Sequence, residues 1–180
     1  MYLCIPKNNL MIYRFRVILD NDTEDDIFRD LEIRETDTLE DLHNIITQSF
    51  GFDGLEMASF YLSNDQWDQG EEISMFDLSE GQESVRLMNE TTINDVVHEA
   101  QTKLIYIYDF LSMWTFYVEL AEIVEEAEGH DYPNLMFVQG QVPDTAPDRV
   151  FEADNDNFNE FEEGIDVDDY EDLDFEENWN

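Results

Sequence analysis

Residues 12–19 alternate, with Tyr13, Phe15, Val17 and Leu19 on one side of the chain and Arg14 and Arg16 on the other. That period-two pattern predicts a half-buried strand. The run from Asp20 to Asp26 consists entirely of Asp, Asn, Glu and Thr and predicts a turn, after which Ile27 to Ile33 reads as a second strand antiparallel to the first. The pattern then changes period. Leu39, Leu42, Ile45, Ile46 and Phe50 share one helical face; Thr38 stands where an N-cap belongs, with Asp41 three residues on, and Gly51 stops the run. A helix over 38–50 that packs on the sheet follows.

Met57 to Leu62 predicts a third strand and Glu72 to Phe76 a short fourth one. Thr92 can cap a short helix carrying Ile93, Val96 and Val97. Lys103–Phe110 and Met113–Val124 form the last pair of strands; in the second, Trp114, Phe116, Val118 and Leu120 face one way and Thr115, Tyr117 and Glu119 the other. The stretch Leu104 to Val124 is the one most easily mistaken for a membrane span, but Asp109, Glu119, Glu122 and the alternation argue for strands. From Gly129 the punctuation thickens with Pro133, Gly140, Pro143 and Pro147, which predicts a long loop closing the domain.

Charge divides the chain further. Residues 152–180 hold 14 of the 46 acidic residues and no Lys or Arg, which leaves 32 acids against 8 bases in residues 1–151, a body near −24 within a chain of −38. Single aromatic side chains among acids, with neither helical nor strand period, predict an acidic tail that is disordered when free. Such a surface disfavours direct binding to nucleic-acid phosphates and to anionic membranes. The single cysteine, Cys4, cannot form an internal disulfide, no Cys/His pair has zinc-ligand spacing, and no basic segment followed by a long apolar run opens the chain. A reducing, cytoplasmic setting without metal or cofactor is the expectation.

Together these elements predict an α+β fold: a β-grasp-like mixed sheet with one main packed helix, followed by the disordered acidic C-terminal tail. Several motifs also carry a resemblance. Ile12-Tyr13-Arg14-Phe15-Arg16-Val17, Thr38-Leu39-Glu40-Asp41-Leu42-His43, Phe50-Gly51-Phe52, and Tyr108-Asp109-Phe110 followed by Trp114 recur in this order and at similar spacing in the plasmid pRi open-reading-frame-three-like family, passenger proteins of a mobile insertion element, which this chain resembles over roughly residues 11–143. The resemblance implies a compact β-grasp-like domain and an association with plasmids and transposable elements, and it brings no established activity. It places the domain start at Met11, giving an extension over 1–10, a domain over 11–150 and a tail over 151–180. Two departures stand out: Phe28-Arg29 replaces the family's usual Trp-Arg, and Leu111-Ser112-Met113 replaces a Gly-Asp before the Trp.

Candidate chemistry is sparse. His43, near the edge of the helical stripe, is placed by spacing at the rim of the core, where it is either a hydrogen-bonded structural residue or a general base. Asp109 interrupts an apolar strand and is expected either to pair with Arg14, Arg16 or Arg29 or to cap a turn. Trp114, with Tyr106, Tyr108 and Tyr117, belongs either to the core or to an aromatic groove. Asp20-Asn21-Asp22 and Asp154-Asn155-Asp156 both fail as EF-hand loops: the sixth-position glycine is Asp25 or Asn159, and the twelfth-position Glu is Leu31 or Ile165. Gly-rich phosphate loops, nucleophile elbows and His-Glu-x-x-His segments are absent.

The favoured function is therefore a non-enzymatic interaction protein. Its acidic surface and tail, with Phe158, Phe161, Tyr170, Phe175 and Trp179 as anchors, would dock on a basic or nucleic-acid-binding protein, and Arg29, His43, Asp109 and Trp114 are the candidate binding residues of the domain. One alternative is a mobile-element protein that mimics DNA charge; another is an enzyme built on His43 and Asp109.

Overall fold

The computed structural model describes residues 9–22 and 24–148, which belong to one unit, Met1–Asp148. Eight strands form a single sheet: β1 Met11–Leu19, β2 Phe28–Arg34, β3 Ala58–Ser63, β4 Gln69–Ser74, β5 Arg86–Leu87, β6 Lys103–Tyr108, β7 Trp114–Glu125 and β8 Asn134–Gln139. Their order across the sheet is β5-β4-β3-β6-β7-β1-β2-β8. Every pairing is antiparallel except β4 with β5, so the fold is sheet-dominated α+β with a mixed sheet. The expected hairpin-then-helix order is present, with β1 flanked by β2 and β7, both antiparallel to it.

Register explains why one face holds the core. Phe15 lies opposite Leu31 and Leu120, and Val17 opposite Arg29 and Val118, so the apolar residues of three strands line up on one side. Phe116 continues that row against Leu19 and Tyr106. Helix α1, Leu39–Phe50, covers this face with buried Leu39, Leu42, His43, Ile46, Thr47 and Phe50. Each fully buried Leu, Ile or Phe of this kind contributes roughly 1.5–3 kcal/mol of transfer free energy.

The ends of α1 are fixed as the sequence requires. The Thr38 hydroxyl accepts from the Asp41 amide at 3.2 Å, and the Asp41 carboxylate accepts from the Thr38 amide at 2.9 Å, a reciprocal capping box. Gly51, at φ 81°, closes the helix in the left-handed region. A short helix α2, Ile93–Val96, and a 3-10 turn at Met88–Glu90 complete the helical content of the described residues.

The opposite face of β1 and β2 carries ion pairs. Arg14 bridges Glu32 and Glu122 at 2.9 and 2.7 Å, and Arg16 makes a forked contact with Asp30 while its guanidinium lies 4.1 Å from the Phe28 ring centre. Among the described residues no helix is long and apolar enough to cross a membrane; the 104–124 stretch is β6, a turn and most of β7.

One expectation is corrected. The segment after Gly129 is not only a loop, because Asn134–Gln139 pairs with β2 as β8. Four consecutive apolar residues without alternation, set between prolines, hid a strand whose six residues are all exposed. The two-residue strand β5, paired in parallel with β4, is also absent from the sequence reading, and elsewhere the bounds shift by a few residues, most for β4, which starts at Gln69 rather than Glu72. The predicted tail and its aromatic anchors lie outside the described residues.

Candidate functional site

Two segments far apart in sequence meet beyond the end of the β1–β2 hairpin. The turn from Asn21 to Ile27 and the segment from Gln139 to Asp148 enclose a cleft of about 700 Å3. Asp22, Asp25, Asp26 and Asp148 line it with exposed side chains, while Ile27, Pro143, Ala146 and Pro147 supply an apolar part of its wall. Among the described residues no Lys or Arg lines it. The six cations that are described are engaged elsewhere: Arg14, Arg16, Arg34, Arg86 and Lys103 with carboxylates, Arg29 with backbone carbonyls. Carboxylates beside apolar surface suit an ammonium or guanidinium on an aliphatic stem, which presents charge and methylenes together.

Arg29, proposed from the sequence as a binding residue, holds a wall of this cleft from behind. It is only 4% exposed. Its Nη1 donates to the carbonyls of Phe28 and Gln139 at 2.8 Å and of Gly140 at 3.3 Å, and its Nε donates to the Ser49 carbonyl at 3.0 Å. The guanidinium also lies 4.5 Å from the Phe50 ring centre. Burial lowers the Arg29 pKa, and the carbonyl dipoles take the place of a carboxylate partner. One side chain thus ties the end of α1 to β2 and to the chain leaving β8. Gly140 completes the junction: at φ 74°, its backbone approaches so closely that an added Cβ would sit 2.9 Å from the Asp26 carbonyl oxygen and from Ile27 Cγ1.

His43 lies inside the core rather than at its rim, with no exposed surface. Its Nδ1 is hydrogen-bonded to the Tyr106 hydroxyl at 2.7 Å, and Nε2 has no partner among the described residues. Burial pushes its pKa down to about 4. Trp114 is buried as well, with Phe52 between it and Tyr108 at ring-centre distances of 5.0 and 4.9 Å. These aromatics form a packed cluster, whereas Tyr117 lies apart against Trp67. The hydroxyl of the buried Tyr108 donates to the exposed Asp53 at 2.9 Å. The Leu55 amide and then this hydroxyl hold the Asp53 carboxyl below its usual value.

Asp109 takes the turn-cap role of its two structural readings. At φ 56° it starts the β6–β7 turn, its amide donates to the Met57 carbonyl at 2.8 Å, and its carboxylate accepts from the amides of Leu111 and Ser112. None of Arg14, Arg16 or Arg29 pairs with it. The Ser112 side chain, foremost, keeps its pKa low. No hydrogen bond joins it to His43. Among the described residues no group of three or more His, Cys, Asp or Glu is arranged to hold a metal ion.

Strand β1, the capped start of α1 and the cluster of Phe52, Tyr108 and Trp114 rest on the same segments that carry the sequence motifs. The family of plasmid pRiA4b ORF-3-like proteins matches residues 11–161. The chain belongs to this family. The match begins at the first residue of β1 and runs past the end of the cleft, so the whole described sheet is family structure. No curated protein matches the chain. Among solved structures, the crystal structure of a protein of unknown function from Methanosarcina mazei Go1 is similar in fold, with a TM-score of 0.61 at 20% identity over 73% of this chain and 70% of that one.

Sequence reasoning read Asp20 to Asp26 as a turn and tested its first residues for calcium, and so passed over the cleft. The available signal was the dense acidic turn itself, which marks a site only once a second wall is known.

Proposed function

We propose that this ORF-3-like protein is a non-enzymatic interaction protein that binds a basic protein partner, taking Lys or Arg side chains into the cleft between the β1–β2 turn and the segment after β8. The observation that carries this reading is the pairing of exposed carboxylates with apolar wall in one concavity that no described Lys or Arg lines. Charge of −38 steers a basic partner toward the protein at long range, and the apolar wall adds short-range burial. The acidic segment 152–180 extends the same sign of charge, with Phe158, Phe161, Tyr170, Phe175 and Trp179 as its candidate anchors. The platform itself is β-grasp-like in its β1–β2–α1 order.

The DNA-mimic reading draws less support, because Asp30, Glu32, Glu122 and Glu126 are paired with Arg14, Arg16 and Arg34 rather than presented as bare charge. The enzyme reading has a buried His43 and an Asp109 occupied in a turn.

The test is the affinity of an extended peptide of alternating Lys and Val for three proteins at moderate salt. Replacing Asp22, Asp26 and Asp148 by Asn weakens binding at least about tenfold, while replacing Glu80, Glu83 and Glu99, which are exposed and away from the cleft, changes it less than about twofold. Equal losses in the two triple variants would mean that net charge, and not the cleft, binds the peptide.

A further inference from the structure

Strand β8 is the last strand on its side of the sheet, hydrogen-bonded to β2 along one edge and to no described strand along the other. Its sequence, Asn134-Leu135-Met136-Phe137-Val138-Gln139, contains no charged residue in a chain where Asp, Glu, Lys and Arg make up 30%. Leu135, Met136, Phe137 and Val138 are 37, 44, 50 and 51% exposed. Edge strands are ordinarily protected by charge, by extreme shortness or by cover, since their free N–H and C=O groups recruit further strands. The other edge of the sheet shows such protection: β5 is two residues long and carries Arg86. β8 is six residues long and bare, with Pro133 outside the strand and a register shift opposite Asp30 and Leu31.

The edge and the cleft are continuous. Gln139, the last residue of β8, and Gly140 after it both line the cleft, so a chain laid along β8 reaches the carboxylates of Asp22, Asp26 and Asp148. We propose that the free edge of β8 receives an extended segment of the basic partner as an added β-strand, whose apolar side chains cover Leu135 to Val138 and whose terminal Lys or Arg enters the cleft. This rests on the reading of the cleft as a site for a basic partner and adds to it the backbone conformation of the ligand. Main-chain hydrogen bonds supply affinity in strand addition, and side chains that alternate between the two faces supply selectivity.

Charge decides among the possible occupants. A second copy of the chain brings another −38, and the segment 152–180 brings 14 acids with no base. Either would place acid against Asp22, Asp26 and Asp148, whereas a basic strand complements them.

The experiment compares the alternating Lys–Val peptide with the same peptide N-methylated at every second residue. The methylated form keeps the charges and side chains but loses the donors along one edge. Backbone amide exchange of Leu135–Val138 in the full chain is followed together with affinity. The result expected is that the unmodified peptide slows exchange at these amides at least about tenfold and binds at least about tenfold tighter than the methylated one. Equal affinity of the two peptides, still weakened by the Asp22, Asp26 and Asp148 to Asn replacements, would overturn strand addition while leaving the cleft reading in place. Absence of binding by either would overturn both. Protection of Leu135–Val138 that grows with protein concentration without peptide would assign the edge to a second copy, and protection lost on removing 152–180 would assign it to the tail; each overturns the proposal.

Discussion

His43 Nδ1 and the Tyr106 hydroxyl lie 2.7 Å apart in the core between α1 and β6, and His43 Nε2 meets no described partner. A neutral imidazole is tolerable there; an imidazolium is not. The folded pKa of about 4 lies below the ordinary 6.5, so the unfolded chain takes up the proton first as the pH falls. The stability contributed by the neutral ring is fully present above about pH 6.5 and is lost progressively down to about pH 4. The shift corresponds to roughly 3 kcal/mol at about 1.36 kcal/mol per pKa unit. Urea unfolding at a series of pH values measures it: the wild type loses stability through this window by that amount more than His43→Leu does. Parallel pH profiles for the two proteins would show that the ring is solvated in the folded state.

Arg29→Met removes four donated hydrogen bonds at once and leaves the carbonyls of Ser49, Gln139 and Gly140 without that partner. A loss of about 2–4 kcal/mol is expected. Arg29→Lys recovers little of it, because an ammonium is a point donor and cannot span carbonyls from α1, β2 and the chain after β8. Denaturant midpoints of the two variants check this, and full recovery by Lys would mean that charge rather than fork geometry matters.

Gly140→Ala tests the seam between the two walls of the cleft. The substitution combines the left-handed backbone cost, about 1–2 kcal/mol, with contact against the Asp26 carbonyl oxygen and Ile27. Thermal unfolding is expected to drop and peptide affinity to fall with it, since relief requires the walls to separate. Gly129→Ala, at φ 83° with open space around its Cβ, serves as the control for backbone strain alone.

Thr38→Ala removes one half of the capping box of α1, with an expected loss of about 1 kcal/mol. Thr38→Ser retains the acceptor and most of the stability, which chemical unfolding distinguishes.

How far the sequence reached follows from the range of each interaction. Helix α1 was legible because Thr38, Asp41 and Gly51 act within a few residues of one another, and β1 and β7 because one face is buried and one wet. Strand β8 was not, since it is exposed on both faces and shows no alternation to read. The role of Arg29 was hidden for another reason: two of its acceptors, Gln139 and Gly140, lie 110 and 111 residues away. The cleft shares that difficulty, as its walls at 21–27 and 139–148 have no common local pattern. Spacing placed His43 on the helix but not its depth, which depends on Tyr106 from another element.

Binding in the cleft is read most directly by titrating the alternating Lys–Val peptide into the isotope-labelled full chain and following every backbone amide by NMR. The largest shifts are expected in residues 21–27 and 139–148, with Gly140 among them, fading as salt is raised. Shifts spread evenly over the acidic surface, or concentrated away from both walls, would contradict it.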